Sequence, residues 1–462
     1  MMNCAHLRSS NAVRAWLGLL MVLCITGTVT VQAQPEAHRW SLELCLGRAL
    51  ESSPEVHEAL ADVQIAESKL AQAKAGRLPQ AKFTGILSAI TGAEGNAVDG
   101  RTDKDDLGPY STGELEVVQP LYTFGRLRNE IQAASQGVVT EQAATEKARH
   151  AVIAAVKELY YNLLFSRQIH ELLLESQETF TTAVEKVEER LAADEPNVTQ
   201  QDLLRLRVGL AGVTKEIFTI ERAIAVTREA LKRQLGVPAE STFDIADTRL
   251  EPVELRLQPL AAYLDNMAQH RPEIAQIEAG LEARKARLEA ERSDYYPSVF
   301  LAGGLKYSVA PNRENQKSPF AQDFNSLGGP GVALGVRWQL DFWMTRAKVA
   351  ERLAEVAKVE VQKTNAVSGI GLEIQRRYLE MQEYQNQLEA MQTARRAARA
   401  LLLTTLTNFN LGVGEAKEIF DGLGLYTRTL GDYYEVLRDF NIGAAKLSQA
   451  TGEEVTTLQY RR

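Results

Sequence analysis

The 462 residues suffice for several compact domains, and 45% apolar with 24% charged residues is the composition of a folded protein. A net charge of −8 argues against nucleic acid as a partner, because phosphate recognition needs a basic surface. Proline is absent between Pro120 and Pro196 and again after Pro330, so both tracts can form very long helices. The sequence therefore predicts an elongated molecule.

Residues 1–33 have the features of a secretory signal peptide. Two arginines precede an apolar stretch at 15–25, and residues 31–33 form a small-residue cleavage pattern. The alternative is an uncleaved membrane anchor. Lipidation at Cys24 is not expected, because a leucine precedes it, and Cys45 alone would remain in the mature chain, which excludes an internal disulfide.

Residues 34–245 are predicted to form a first structural repeat. Its elements in chain order are helices at about 41–52 and 54–77, strands at about 80–91 and 111–122, and long helices at 126–191 and 201–235. A Gly/Asp-rich loop at about 92–109 is expected between the strands, and Pro196 with Asn197 marks a turn between the long helices. Heptad spacing in the first long helix predicts a stripe that packs on a partner helix.

Residues 246–462 are predicted to form a second repeat with the same order of elements. These are helices near 260–269 and 272–294, strands at about 298–309 and 331–342, and long helices at 345–408 and 415–449. The last strand alternates apolar and polar residues, with Val332, Leu334, Val336, Trp338 and Leu340 on one face. About ten such residues can span a bilayer as a tilted strand; the alternative is a soluble sheet packed on one face.

Prolines and glycines at corresponding positions of the two halves support the duplication. Pro54 and Pro79 are 25 residues apart, as are Pro272 and Pro297, and Leu235-Gly236 is repeated as Thr451-Gly452. A period of roughly 220 residues is too long for a solenoid unit. The four predicted strands are too few to close a membrane barrel, since the smallest barrels have about eight. Copies of the chain would therefore have to supply the other strands.

Several short motifs, in this order and duplicated, carry a resemblance to a known family. They are Ser53-Pro54-Glu55, Leu78-Pro79, Gln119 to Arg126, Glu158 to Leu164, Arg271-Pro272-Glu273 and Tyr296-Pro297. The sequence after residue 33 resembles the TolC-like outer-membrane efflux proteins (outer membrane factors) over nearly its whole length.

The resemblance implies a mainly α fold with a β-barrel portion. Three chains would each give four strands to a 12-stranded outer-membrane barrel, and their long helices would continue it as an α-helical periplasmic barrel. The implied location is the outer membrane of a Gram-negative bacterium, with a large periplasmic portion. The loops at 92–109 and 310–328 would then be extracellular.

The implied function is the passive exit duct of a tripartite efflux or type I secretion system. The implied partners are two further copies of the chain, outer-membrane lipid, a periplasmic adaptor (membrane fusion) protein and an inner-membrane transporter. The alternative is an exported coiled-coil scaffold without a pore, which would not need the alternating strands. The sequence contains no nucleophile–base pair and no metal-ligand spacing, so no enzyme, cofactor or metal site is predicted.

The resemblance also implies a gate. Family members narrow the periplasmic entrance with rings of acidic residues after the second tip turn, and Glu418 and Asp421 match them. These two residues are three apart and so share a helical face, and Asp202 sits similarly after the first tip. The alternative is a solvated helix start, where carboxylates suit the helix dipole. Adaptor docking is expected at the tip formed by Leu411, Gly412, Val413 and Gly414.

Overall fold

A computed structural model of the chain describes residues 39–96, 98–195, 198–316 and 322–456. The predicted signal peptide and the turn at Pro196 and Asn197 lie outside the described residues. The first half contains β1 (Arg39–Trp40), α1 (Leu42–Ser52), α2 (Pro54–Ala75), β2 (Gln80–Glu94), β3 (Arg101–Tyr122), α3 (Arg126–Ala192) and α4 (Gln200–Gln234). The second contains β4 (Asp244–Ile245), α5 (Leu260–His270), α6 (Pro272–Arg292), β5 (Ser298–Val309), β6 (Leu327–Arg337), α7 (Phe342–Asn410) and α8 (Ala416–Thr451). The duplicated plan of two strands and two long helices per half is confirmed.

The four long strands form one antiparallel sheet in the order β2-β3-β5-β6. Its register brings apolar side chains into rows, because Phe83 pairs with Leu115 and Leu115 pairs with Leu305. We call this side the apolar face. Its larger members are Phe83, Leu87, Leu115, Val117, Leu301, Leu305, Val332, Leu334 and Val336.

The opposite side of the sheet is mostly polar. Lys82 pairs with Glu116, and Glu114 pairs with Lys306, so opposite charges stand across neighbouring strands. The apolar face is exposed, with Phe83 at 72% and Val332 at 75% of their surface accessible. An apolar sheet face of this extent is costly in water, so it needs a cover of lipid or protein.

The predicted bounds of two strands were wrong. The expected loop at 92–109 is mostly strand, because β3 begins at Arg101 and Arg101 pairs with Glu94. A register shift after Thr91 lets the charged residues join the ladder, which alternation alone could not anticipate. β6 runs from Leu327 to Arg337 rather than from about 331 to 342. It ends at Arg337 because that residue pairs with Ser298, the first residue of its partner β5.

The helical body extends from one end of this sheet. α3 has 67 residues and α7 has 69, which at about 1.5 Å per residue gives helices of about 100 Å. α2 and α4 pack along α3, while α6 contacts both α3 and α7 and α8 contacts both α7 and α3. Among the described residues, no helix is both long and apolar enough to cross a membrane.

The two halves end in the same way. α4 is followed by Gly236 (φ +61°) and α8 by Gly452 (φ +76°), both in the left-handed region that favours glycine. A Cβ on Gly236 would lie 2.9 Å from Ser52 Cβ, and one on Gly452 would lie 2.1 Å from the carbonyl oxygen of His270. Ser52 and His270 are the last residues of α1 and α5, so each half closes its last helix against its first.

Candidate functional site

The two turns between long helices lie at the same end of the molecule and pack together. Phe180 and Val187 from α3, Leu206 from α4, and Phe409 and Ile419 beside the second turn belong to one buried cluster. The Arg190 guanidinium lies 4.2 Å from the centre of the Phe409 ring, and Lys186 Nζ donates to Asn410 Oδ1 at 3.0 Å. We call this end the helical tip.

The second turn at the helical tip is built by backbone hydrogen bonds. The N–H groups of Val413 and Gly414 both donate to the Asn408 carbonyl at 3.1 Å, and Gly412 has φ +78°. A Cβ on Gly414 would lie 2.9 Å from the Phe409 nitrogen, so this position has no room for a side chain. The turn therefore presents Leu411 and Val413 outward, 72% and 75% exposed.

Glu418 and Asp421 lie in the first two turns of α8. Ile419 and Leu423 on the opposite side of the helix are 1% exposed and face the tip cluster. Glu418 and Asp421 themselves are exposed, so the structure places both carboxylates on the side of α8 that packs on nothing in this chain.

The same exposed side of α8 carries further charges that the sequence analysis did not single out. Arg428 follows Asp421 by two helical turns, and Asp432 and Glu435 come next at spacings of four and three residues, so all lie on the same side. The spacing of these charged residues is visible in the sequence. Only the burial of the other side of α8 shows that this side packs on nothing in the chain. The side is predominantly acidic, and the carboxylates at the tip are its first members.

Asp202 has a local structural role. Its Oδ2 accepts hydrogen bonds from Thr199 N at 3.1 Å and Thr199 Oγ1 at 2.6 Å, while Thr199 Oγ1 accepts from Asp202 N at 3.3 Å. This reciprocal capping box starts α4. Arg205 lies 3.7 Å away, and the Asp202 side chain is only 12% exposed. The Thr199–Asp202 spacing was a readable capping signal.

Apolar side chains also stand exposed along the helical body. On α4 these are Leu204, Val208, Phe218 and Val226, between 52% and 72% exposed. An open groove of about 780 Å³ runs beside this helix around Phe218, between Arg207 and Arg222. Within the described part of the chain, no group of three or more histidine, cysteine, aspartate or glutamate residues is arranged to hold a metal ion.

A family comparison decides what kind of protein this is. The model of the family described as outer membrane efflux protein matches residues 45–237 and 263–453, which is one match to each half. The chain belongs to the outer membrane efflux protein family. No curated protein matches the sequence.

Solved structures of outer-membrane channels share the fold of this efflux protein. The Campylobacter jejuni CmeC outer membrane channel aligns with a TM-score of 0.75 at 14% identity, over 90% of this chain and 87% of that one. The outer membrane protein VceC from Vibrio cholerae aligns with 0.73 at 17% identity, over 90% and 96%. The open state of the Neisseria gonorrhoeae MtrE outer membrane channel aligns with 0.70 at 17%, over 91% of each chain.

The family assignment and the fold confirm the resemblance found in the sequence. This efflux protein is an outer-membrane protein whose strands and long helices form a duplicated chain. Because the identities are low, the solved structures support the fold, whereas the efflux role follows from the family.

Proposed function

We propose that three copies of this chain form a passive outer-membrane exit duct. The observation that carries the proposal is the four-stranded sheet, whose edge strands β2 and β6 each have one neighbour in the described chain. An open edge in lipid leaves backbone groups unpaired, which costs several kcal/mol each, so a spanning sheet has to close on itself. Three chains of four strands supply twelve, which is within the range of membrane barrels.

The internal repeat supports a neighbouring copy on one side of the chain. α6 lies between α7 of its own half and α3 of the other. Its counterpart α2 packs along α3 and makes no comparable contact with α7 among the described residues. Leu60 and Ile65 on α2 are left exposed, as is the apolar stripe on α4. Repeat symmetry therefore leaves room for α7 of the next copy beside α2 and α4.

The same arrangement favours a duct over a pore-free scaffold. A scaffold needs the helices but not an exposed apolar sheet face, whereas a bilayer covers that face directly. The polar side of the sheet would line the barrel, and the helical body would continue its wall into the periplasm. Transport would be driven by an inner-membrane transporter, reached through a periplasmic adaptor that contacts Leu411 and Val413 at the helical tip.

The gate at the helical tip is the finer part of the proposal. In a trimer, Glu418 and Asp421 would each form a ring of three carboxylates on the free side of α8. Such rings attract cations and narrow the entrance. Asp202 is assigned to the supporting cap of α4, because its carboxylate is already bonded to Thr199.

Conductance in planar bilayers tests both parts. We expect the wild-type protein to give small, cation-selective channels, and Glu418→Ala with Asp421→Ala to raise conductance on the order of twofold and to weaken cation selectivity. The matched control removes two exposed carboxylates far from the tip, Glu240→Ala with Asp265→Ala, and should behave as wild type. If the wild type does not insert into the bilayer, the scaffold is favoured. If the double variant gives the same conductance and selectivity as the wild type, Glu418 and Asp421 do not form a gate.

A further inference from the structure

A pocket lies where the sheet meets the helical body. It has a volume of about 510 Å³ and is lined by Arg77, by the turn from Pro120 to Gly125, and by Leu127 and Arg128. Tyr122 pairs with Val299, which pairs with Val336, so Tyr122 belongs to the apolar face. The pocket is therefore continuous with the end of the apolar face that adjoins the helices.

The turn beside the pocket is held in a strained conformation. Phe124 has φ +47°, a region that costs a bulky residue energy, and its carbonyl accepts a hydrogen bond from Ser293 Oγ at 3.0 Å. The Phe124 ring meets Tyr122 edge-to-face at 4.7 Å and stacks on Tyr296 at 5.2 Å between ring centres. Three aromatic rings therefore lie together beside the pocket.

Other aromatic side chains lie at the same end of the sheet. Trp338 Nε1 donates to the Tyr295 carbonyl at 3.2 Å, and the Trp338 ring lies 6.1 Å from Phe342. Trp343 is 77% exposed. Tyrosine and tryptophan concentrate where acyl chains meet headgroups, because their rings are apolar and their N–H and O–H groups are polar. In the proposed orientation, these rings would therefore lie at the headgroup level of the bilayer.

Two cationic side chains at this level have no carboxylate partner. Arg126 forms ion pairs with Glu130 at 3.0 Å and Asp294 at 3.5 Å, but among the described residues no carboxylate lies within 4.0 Å of Arg77 or Arg128. The first turn of α3 carries no acidic residue. The pocket therefore combines two guanidinium groups that lack a carboxylate partner with an apolar rim, since Leu121 and Tyr122 in its lining are 54% and 59% exposed.

We propose that this junction pocket binds the phosphate headgroup of a glycerophospholipid in the leaflet nearest the helices. Guanidinium groups match phosphate oxygens with paired hydrogen bonds, and Leu121, Tyr122 and Phe124 offer apolar surface to the glycerol and acyl chains. A free phosphate ion would not use the apolar rim. The site rests on the proposed orientation in the outer membrane and would fix the height at which the sheet sits in the bilayer.

The test measures the midpoint of thermal unfolding of the purified protein in an uncharged detergent. Three additives are compared at equal concentration: dihexanoyl phosphatidylglycerol, sodium phosphate and hexyl glucoside. The variant Arg77→Gln with Arg128→Gln removes both cations. The control Arg249→Gln with Arg287→Gln removes two exposed arginines of the helical body.

Phosphatidylglycerol should raise the midpoint of the wild type and the control by about 2–5 °C, because a ligand that binds the folded state stabilises it. The rise should fall by half or more in the pocket variant, and sodium phosphate and hexyl glucoside should give no comparable rise. An equal response in the pocket variant, an equal response to sodium phosphate, or no response in the wild type would overturn the proposal.

A second measurement covers a pocket variant that does not fold. Arg77→Lys with Arg128→Lys keeps the charges but loses the planar fork, so it should retain less phospholipid than the wild type in native mass spectra. Equal retention would overturn the site. Planar-bilayer conductance of the same wild-type sample separates the two proposals. If the protein forms channels but phosphatidylglycerol does not raise its unfolding midpoint, only the lipid site is ruled out. A protein that forms no channels removes the proposed function.

Discussion

Lys157 and Glu454 join the two halves of the chain by a short ion pair. Lys157 Nζ lies 2.6 Å from Glu454 Oε2, and the Lys157 side chain is 5% exposed. Ser448 Oγ and Thr456 Oγ1 also donate to the Glu454 carboxylate, at 3.1 Å and 2.7 Å. Burial alone would raise the pKa of Glu454, but the Lys157 charge and these hydrogen bonds together lower it below its usual 4.5.

The lowered pKa of Glu454 predicts an acid-sensitive contribution to stability. Its contribution is fully present above the usual pKa of 4.5, which applies to the unfolded chain, and is lost as the pH falls through the lower folded pKa. We expect Glu454→Gln to unfold at a lower temperature than wild type at pH 7 and to lose less further stability between pH 5 and about pH 3. Thermal unfolding across this range checks it, with exposed Glu240→Gln as the control. If the unfolding temperature of Glu454→Gln changed with pH in parallel with that of the wild type, Glu454 would not be the source of the acid sensitivity.

The roles of individual charged residues could be predicted from the sequence only in part. The chain pattern indicated that Glu418, Asp421 and Asp202 follow tip turns, and all three do lie near the start of α8 or α4. It did not separate a free carboxylate from a capping one, because that depends on whether Thr199 turns its hydroxyl toward Asp202. The unpaired state of Arg77 and Arg128 was equally unreadable, since Glu130 and Asp294 reach Arg126 instead.

Elements were predictable where proline or alternation marked them. Pro79 and Pro297 precede β2 and β5, and alternation between residues 332 and 336 identified β6. The first ten residues of β3 were not predicted as strand, because charged residues such as Arg101, Asp103 and Lys104 have a low strand propensity. Their strand form depends on pairing with the end of β2, which is a tertiary contact.

The apolar face makes a prediction for strand β6. Leu334 pairs with Leu301 on the apolar face, and its neighbour Ala333 points to the polar side. Arginine on the lipid side of a membrane strand costs about 2–4 kcal/mol at mid-bilayer, so Leu334→Arg should reduce the yield of assembled, heat-resistant protein sharply. Ala333→Arg, one residue away, should be tolerated far better. Gel mobility before and after heating measures both, and equal behaviour would argue that no lipid covers this face.

At the scale of the whole molecule, the sequence showed the repeat and the shortage of strands, but it did not show which helices lack a neighbour. Equal proline spacing and the final glycines indicated two similar halves, and Gly236 and Gly452 do close them alike. The sequence did not show that α6 packs along two long helices, α3 and α7, while α2 packs along α3 alone among the long helices, because α2 and α6 have similar sequences. That difference is the strongest internal support for the proposed ring of three chains.

Ring closure predicts which strands of neighbouring copies meet. If β2 of one chain pairs with β6 of the next, a cysteine at Thr84 should crosslink to a cysteine placed in turn at Ala333, Gly335 or Arg337. One of these pairs should bring the two Cβ atoms within the roughly 3.5–4.5 Å that a disulfide needs. The native Cys45 is fully buried and should not interfere. On a denaturing gel without reductant, the matching pair should give covalent dimers and trimers.

The control for this crosslink is built into the sheet. Glu114 and Lys306 already face each other on β3 and β5, so Glu114→Cys with Lys306→Cys should form a disulfide inside one chain and run as a monomer. Comparing the two experiments distinguishes pairing of β2 with β6 of another chain from pairing of β3 with β5 within one chain. If the Thr84 series gives only monomer while the control oxidises fully, β2 and β6 do not meet and the barrel does not close in this way.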